Sequence, residues 1–129
     1  MKQADKELLL QDLCARLPYG VKVNYNEEVC IIDSIGNDSE LLLKNDDGEI
    51  IPKWEDSLFI SIEKCKPYLF PLSSMTPKQK AELSMLVVGV EDIFKSFLIE
   101  VEFYHKHHID YRGLIPMGLA IDCTNLNIY

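Results

Sequence analysis

The residues best suited to chemistry lie close together near the end of the chain. Asp110, Tyr111 and Arg112 place an acid, a phenol and a guanidinium in one turn, a set that can bind a small anion or act in general acid–base catalysis. The same three residues also fit a structural loop, in which the arginine pairs with the aspartate and the tyrosine fills the core. We favour the structural interpretation and keep the catalytic one as an alternative.

Two histidines precede this turn. His105 and His108 are three residues apart and so share one face of a predicted helix. Imidazole and carboxylate groups together can bind zinc or iron. However, imidazolium is also favoured at the end of a helix, where free carbonyls carry partial negative charge. The weak pattern leads us to expect no metal site here.

Motifs for known cofactors and catalytic centres are absent from the sequence. It contains no phosphate-binding glycine loop, dinucleotide fingerprint, nucleophile elbow or zinc-protease helix. We therefore expect no cofactor. The four cysteines are scattered, without a C-x-x-C pair, which favours reduced thiols and a cytoplasmic protein.

The negative charge of the chain is concentrated in one region. The 129 residues carry a net charge of -8, and ten acidic residues between Asn26 and Asp56 face only two lysines. An acidic chain lacks the basic stripe needed to bind nucleic acid, and it is repelled by anionic membranes. We expect this region to meet a basic protein partner, through Asp46, Asp47, Glu49 and an exposed Trp54. A solvated hairpin and a core tryptophan are the structural alternatives.

Three kinds of element must position these residues. Leu9, Leu13 and Leu17 recur every fourth residue and predict an N-terminal helix of about 14 residues. Residues 21–54 alternate in polarity around turn signals, the clearest being Asn45-Asp46-Asp47-Gly48, and predict an antiparallel meander. Between Cys65 and Ser74 two prolines predict an extended connector or an edge strand.

A long apolar helical segment follows. Thr76-Pro77-Lys78-Gln79 has the pattern of a helix start with a capping box. Beyond it, apolar residues from Leu83 to Tyr104 step by three and four, as in a coiled-coil dimer. Further apolar residues on the other faces favour burial in the core instead. We expect two helices broken near Gly89, with one kinked helix as the alternative.

These elements predict a single α+β domain over residues 1–129. It consists of an N-terminal helix, a small antiparallel meander or partial barrel, and two C-terminal helices packed on the sheet. No stretch is apolar for the length that a membrane span requires.

Three motifs resemble a group of small uncharacterised proteins from gut Bacteroidetes, their prophages and mobile elements. They are the stretch DLCARLPYG from Asp12 to Gly20, the stretch PYLFPLSSMT from Pro67 to Thr76 and the stretch DYRGLI from Asp110 to Ile115. Phe70 stands where the group often has a basic residue. The resemblance implies a cytoplasmic accessory protein and assigns no activity, cofactor or catalytic residue.

Three functional hypotheses follow. The first is a non-enzymatic interaction or accessory module that presents its acidic sheet to a basic protein. The second is a small enzyme or ligand-binding protein using Asp110, Tyr111 and Arg112 with His105 or His108. The third is a structural homo-oligomer formed through the helical segment 83–104.

Overall fold

A computed structural model describes residues 1–36, 39–51 and 59–129. Its first element, helix α1, spans Gln3–Arg16. Leu9 and Leu13 are fully buried on one face of α1, as their spacing predicts. A short 3-10 turn containing Pro18 follows, and Gly20 reverses the chain with φ of 70°, a conformation that glycine adopts without strain.

The sheet is mixed rather than purely antiparallel. The strands are Lys22–Tyr25 for β1, Glu28–Ile35 for β2, Glu40–Lys44 for β3, Ile50–Ile51 for β4, Ile60–Ser61 for β5, Cys65–Pro71 for β6, Ile109–Asp110 for β7 and Ile121–Asp122 for β8. Their order in the sheet is β4-β3-β2-β1-β6-β7, with β5 paired to β3 and β8 paired to β6. Strands β1 to β4 pair antiparallel in sequence order, so the predicted meander is confirmed.

Strand β6 is extended as predicted, but the prediction of an edge position is wrong. It pairs antiparallel with β1 and parallel with the short strands β7 and β8. Backbone groups of the adjacent residues Leu69 and Phe70 bond to the segments of β8 and β7, so β6 has neighbours on both sides. Each proline lies where a pairing ends, because Pro67 is the last residue paired with β1 and Pro71 is the last residue of the strand. Strand β1 pairs with residues 65–67, whereas β8 and β7 pair with residues 68–71.

One apolar core joins α1, the sheet and the loop after β7. Its buried residues include Leu13 of α1, Val23 of β1, Leu43 of β3, Leu69 of β6 and Leu114 of the loop. The described residues thus form the predicted α+β fold.

The C-terminal helical segment is two helices. Helix α2 spans Pro77–Val87 and begins with the predicted capping box between Thr76 and Gln79. Helix α3 spans Ile93–Lys106, and the Asp92 carboxylate accepts hydrogen bonds from its first turn. The break falls at Gly89, which has φ of 78°.

The expectation that these helices are buried in the core is wrong. Helix α2 contains no buried residue, and α3 buries only Phe103 near its C-terminal end. The main contacts of α3 with the rest of the domain are with α1 and β7, and α2 packs on α3. The apolar residues on the remaining faces therefore meet solvent.

Candidate functional site

A fully buried arginine organises three of the polar residues singled out by the sequence, which are His105, Tyr111 and Arg112. The Arg16 side chain has no exposed surface, and its Nε donates to Asp12 Oδ2 at 2.8 Å. Its other nitrogens donate to the backbone carbonyl of Ile109 at 2.6 Å and to that of Tyr104 at 3.4 Å. The guanidinium thus links α1 to the end of α3 and to β7. We call Asp12, Arg16, His105, Tyr111 and Arg112 the Arg16 cluster.

Arg112 joins the cluster from the loop after β7. Its Nε donates to Asp12 Oδ1 at 3.2 Å, so one buried carboxylate serves two guanidiniums. Both guanidiniums also lie over the ring of Tyr111, at 5.1 Å for Arg112 and 5.7 Å for Arg16. The predicted pairing of Arg112 with an acid is thus present, but the acid is Asp12 rather than Asp110.

His105 and Tyr111 form a hydrogen-bonded pair within the cluster. His105 Nε2 lies 2.7 Å from the Tyr111 hydroxyl. Burial lowers the pKa of His105, and the nearby Arg16 charge lowers it further. Burial also raises the pKa of Tyr111. Both groups are therefore neutral at neutral pH.

Asp110 has a structural role apart from its two neighbours. Its buried carboxylate accepts hydrogen bonds from the backbone N–H groups of Leu114 and Ile115, both at 2.9 Å. These bonds hold the loop that carries Leu114 into the core. The trio predicted from the sequence is thus divided between a loop cap and the Arg16 cluster.

His108 lies against a different aromatic residue from His105. Its ring stacks on Tyr129 with 3.7 Å between the ring centroids. Burial lowers the pKa of His108 to about 4, and its Nδ1 has no hydrogen-bond partner among the described residues. Within those residues no group of three or more histidine, cysteine, aspartate or glutamate side chains is arranged to hold a metal ion.

The cysteines are free, and three of them are buried. Burial raises the pKa of Cys30 and Cys123 to about 11 and that of Cys65 to about 12. These three thiols stay protonated at neutral pH and are poor nucleophiles. Cys14 on α1 is exposed.

The predicted acidic hairpin turn is present between β3 and β4. The Asn45 side chain accepts hydrogen bonds from the backbone N–H groups of Asp47 and Glu49, at 3.0 and 2.9 Å. Gly48 completes the turn with φ of 80°. Asp46, Asp47 and Glu49 are exposed, whereas Trp54 lies outside the described residues.

A large apolar surface on α2 and α3 is exposed, although the sequence favours burial of these helices in the core. Between Met85 and Leu98, seven large apolar side chains have exposed fractions from 53% to 81%. We call them the α2–α3 apolar surface: Met85, Leu86, Val88, Ile93, Phe94, Phe97 and Leu98. The signal in the sequence is the apolar residues on every face of the helices, which favour burial in the core and leave a homo-oligomer through segment 83–104 as the alternative.

A groove runs between α2 and the C-terminal half of α3. It has a volume of about 760 Å³. Met85, Leu86, Ile99 and Phe103 line it with apolar atoms, and lysine and glutamate side chains from both helices complete its wall. The hairpin of α2 and α3 therefore has both a groove and, at Ile93 and Phe94, an exposed apolar tip.

Neither a protein-family model, a curated protein nor a solved structure matches this chain. The resemblance to the Bacteroidetes group therefore stays a prediction, and function is inferred from the geometry. Among the described residues, no helix combines the length and the apolar character needed to cross a membrane.

Proposed function

We propose that the protein is a non-enzymatic interaction module that binds another protein chain through its α2–α3 apolar surface. The exposure of seven large apolar side chains within fourteen residues carries the proposal. Monomeric proteins rarely expose contiguous apolar patches larger than a few hundred Å². Such a surface is stable in water when another protein covers it.

The Arg16 cluster supports this function by fixing the base of the helical hairpin. Arg16 binds the carbonyl of Tyr104 in the last turns of α3 and that of Ile109 just beyond. Of the residues that suggested catalysis, His105 and Tyr111 add a hydrogen bond between α3 and the loop after β7. Anchored at this end, α2 and the first turns of α3 present their apolar side chains to solvent.

The partner and location predicted from the sequence belong to the same proposal. A basic protein meeting the acidic turn of Asp46, Asp47 and Glu49 stays a prediction, because exposure of the turn is also what a solvated hairpin requires. A cytoplasmic location fits the four free cysteines, since reducing compartments preserve thiols.

Site-specific photo-crosslinking in cells tests the proposed function. A photoreactive amino acid replaces Leu98 on the α2–α3 apolar surface or, as the control, Leu72, an exposed apolar residue outside it. We expect the probe at position 98 to join the chain to a protein identified by mass spectrometry, either a second copy or another protein. A Phe94→Glu change in the same chain should remove that product. Absence of a product at position 98, or the same products at position 72, would refute the function.

A further inference from the structure

We infer that the partner covering the α2–α3 apolar surface is a second copy of this chain. This inference rests on the proposed function and names its partner. It assigns the hairpin of α2 and α3 to the interface of a homodimer, in which two hairpins pack as four helices. Three observations favour a second copy over a different protein.

The first observation is the area of the surface. A fully exposed large apolar side chain presents roughly 150–200 Å². At the observed exposed fractions, the seven side chains present about 800 Å², which is about what each partner contributes to a standard stable interface. Two copies can therefore bury enough apolar area for a stable dimer without any other segment.

The second observation is the balance of charge on the helices. Residues 77–106 contain four lysines and five acidic residues. Two copies of a nearly neutral surface meet without net repulsion, whereas a strongly basic or acidic partner gains little from it. The acidic stretch between Asn26 and Asp56, with ten acids and two lysines, would repel its own copy. The acidic stretch thus favours a basic partner, whereas the α2–α3 apolar surface can pair with a second copy of itself.

The third observation is that the hairpin carries both a groove and a projecting apolar tip. The groove lies between α2 and the last turns of α3. Ile93 and Phe94, with exposed fractions of 81% and 80%, lie at the tip beside the connecting loop. In a two-fold arrangement the same patch of each copy meets its mate. Antiparallel hairpins then bring the tip of each copy to the groove of the other.

Sedimentation equilibrium of the full chain tests the dimer. We expect a mass of two chains for the wild type and for the control Leu72→Glu, which adds the same charge outside the surface. Phe94→Glu should weaken association by about 30-fold or more, as loss of a buried aromatic anchor at an interface does. This change preserves the helix, because a negative charge is favourable in its first turn, and circular dichroism verifies the fold. Leu98→Glu provides a second variant.

The outcomes separate the inference from the proposed function. A mass of one chain at every concentration would overturn the dimer, as would association that Phe94→Glu and Leu98→Glu leave unchanged. If the chain is monomeric and the probe at position 98 captures a different protein, the dimer is wrong and the proposed function stands. If the chain is monomeric and the probe captures nothing, both are wrong.

Discussion

Replacing Asp12 by alanine should destabilise the protein far more than removing an exposed acid from an equally short ion pair. Asp12 has no exposed side-chain surface and accepts hydrogen bonds from Arg16 and Arg112. Without Asp12, the fully buried guanidinium of Arg16 keeps only backbone carbonyls as hydrogen-bond acceptors. Asp33 is the matched control, because it pairs with Lys44 at 2.9 Å while more than a third of each side chain is exposed.

The two changes differ in size because they differ in desolvation. Breaking a buried ion pair by removing one partner costs about 3–5 kcal/mol, whereas an exposed pair contributes about 0–1 kcal/mol. The free energy of unfolding should therefore fall by about 2–5 kcal/mol more for Asp12→Ala than for Asp33→Ala.

Urea unfolding at neutral pH measures both losses. All variants are compared at one protein concentration, because self-association adds a concentration-dependent stability. A loss for Asp12→Ala no larger than that for Asp33→Ala would refute the reasoning. A second variant combines Asp12→Leu with Arg16→Met and should regain most of the stability, since it removes the buried charge itself. Failure to regain any would show that the charge is not the cause.

Three further predictions concern other parts of the chain. Asp110→Ala leaves two backbone N–H groups of the following loop unpaired and should lower the free energy of unfolding by about 2–3 kcal/mol. Asp110→Asn keeps an acceptor oxygen and should lower it less. Equal losses of stability in urea unfolding would contradict the capping role of Asp110. Burial lowers the pKa of His108 to about 4. As pH falls from about 6.5 towards 4, the unfolded chain therefore binds a proton that the folded chain does not. The stability present at neutral pH is lost across this window. His108→Phe should reduce that loss in unfolding measured at several pH values, and an unchanged pH dependence would argue against it. A basic protein pulled down from host lysate at low salt should be lost at high salt and after charge reversal to lysine at Asp46, Asp47 and Glu49; binding that survives the reversal would exclude the acidic turn.

Local signals in the sequence were enough to place most elements. The leucine spacing of α1, the capping box at Thr76 and the turn at Gly48 each describe a few neighbouring residues, and each is present in the structure. The break at Gly89 was predictable for the same reason, because a helix ends where one residue adopts a left-handed conformation.

Features that depend on distant residues were not predictable. A charged residue such as Asp12 is expected on the solvent face of an amphipathic helix, yet Asp12 is fully buried. Its burial depends on Arg16 four residues away and on Arg112 a hundred residues away. The central place of β6 depends on two-residue strands that carry almost no sequence signal.

The apolar character of α2 and α3 is evident from the sequence, but the sequence does not show which atoms cover these side chains. The same pattern fits a helix in the core of its own domain and a helix at an interface between chains. Composition measures how much apolar area must leave water. It does not say whether the covering atoms belong to the same molecule.

The buried bond between Arg16 and the Ile109 carbonyl also bears on the order of folding during synthesis. These residues are 93 positions apart, so α1 leaves the ribosome long before the acceptor of its arginine exists. Burying α1 any earlier would place an incompletely paired charge in an apolar core. Contacts between such distant residues slow folding, so we expect the core to close only after β7 is made. In the complete chain, the variant that combines Asp12→Leu with Arg16→Met should refold faster in a stopped-flow measurement, because its α1 can be buried before the contact with Ile109 forms.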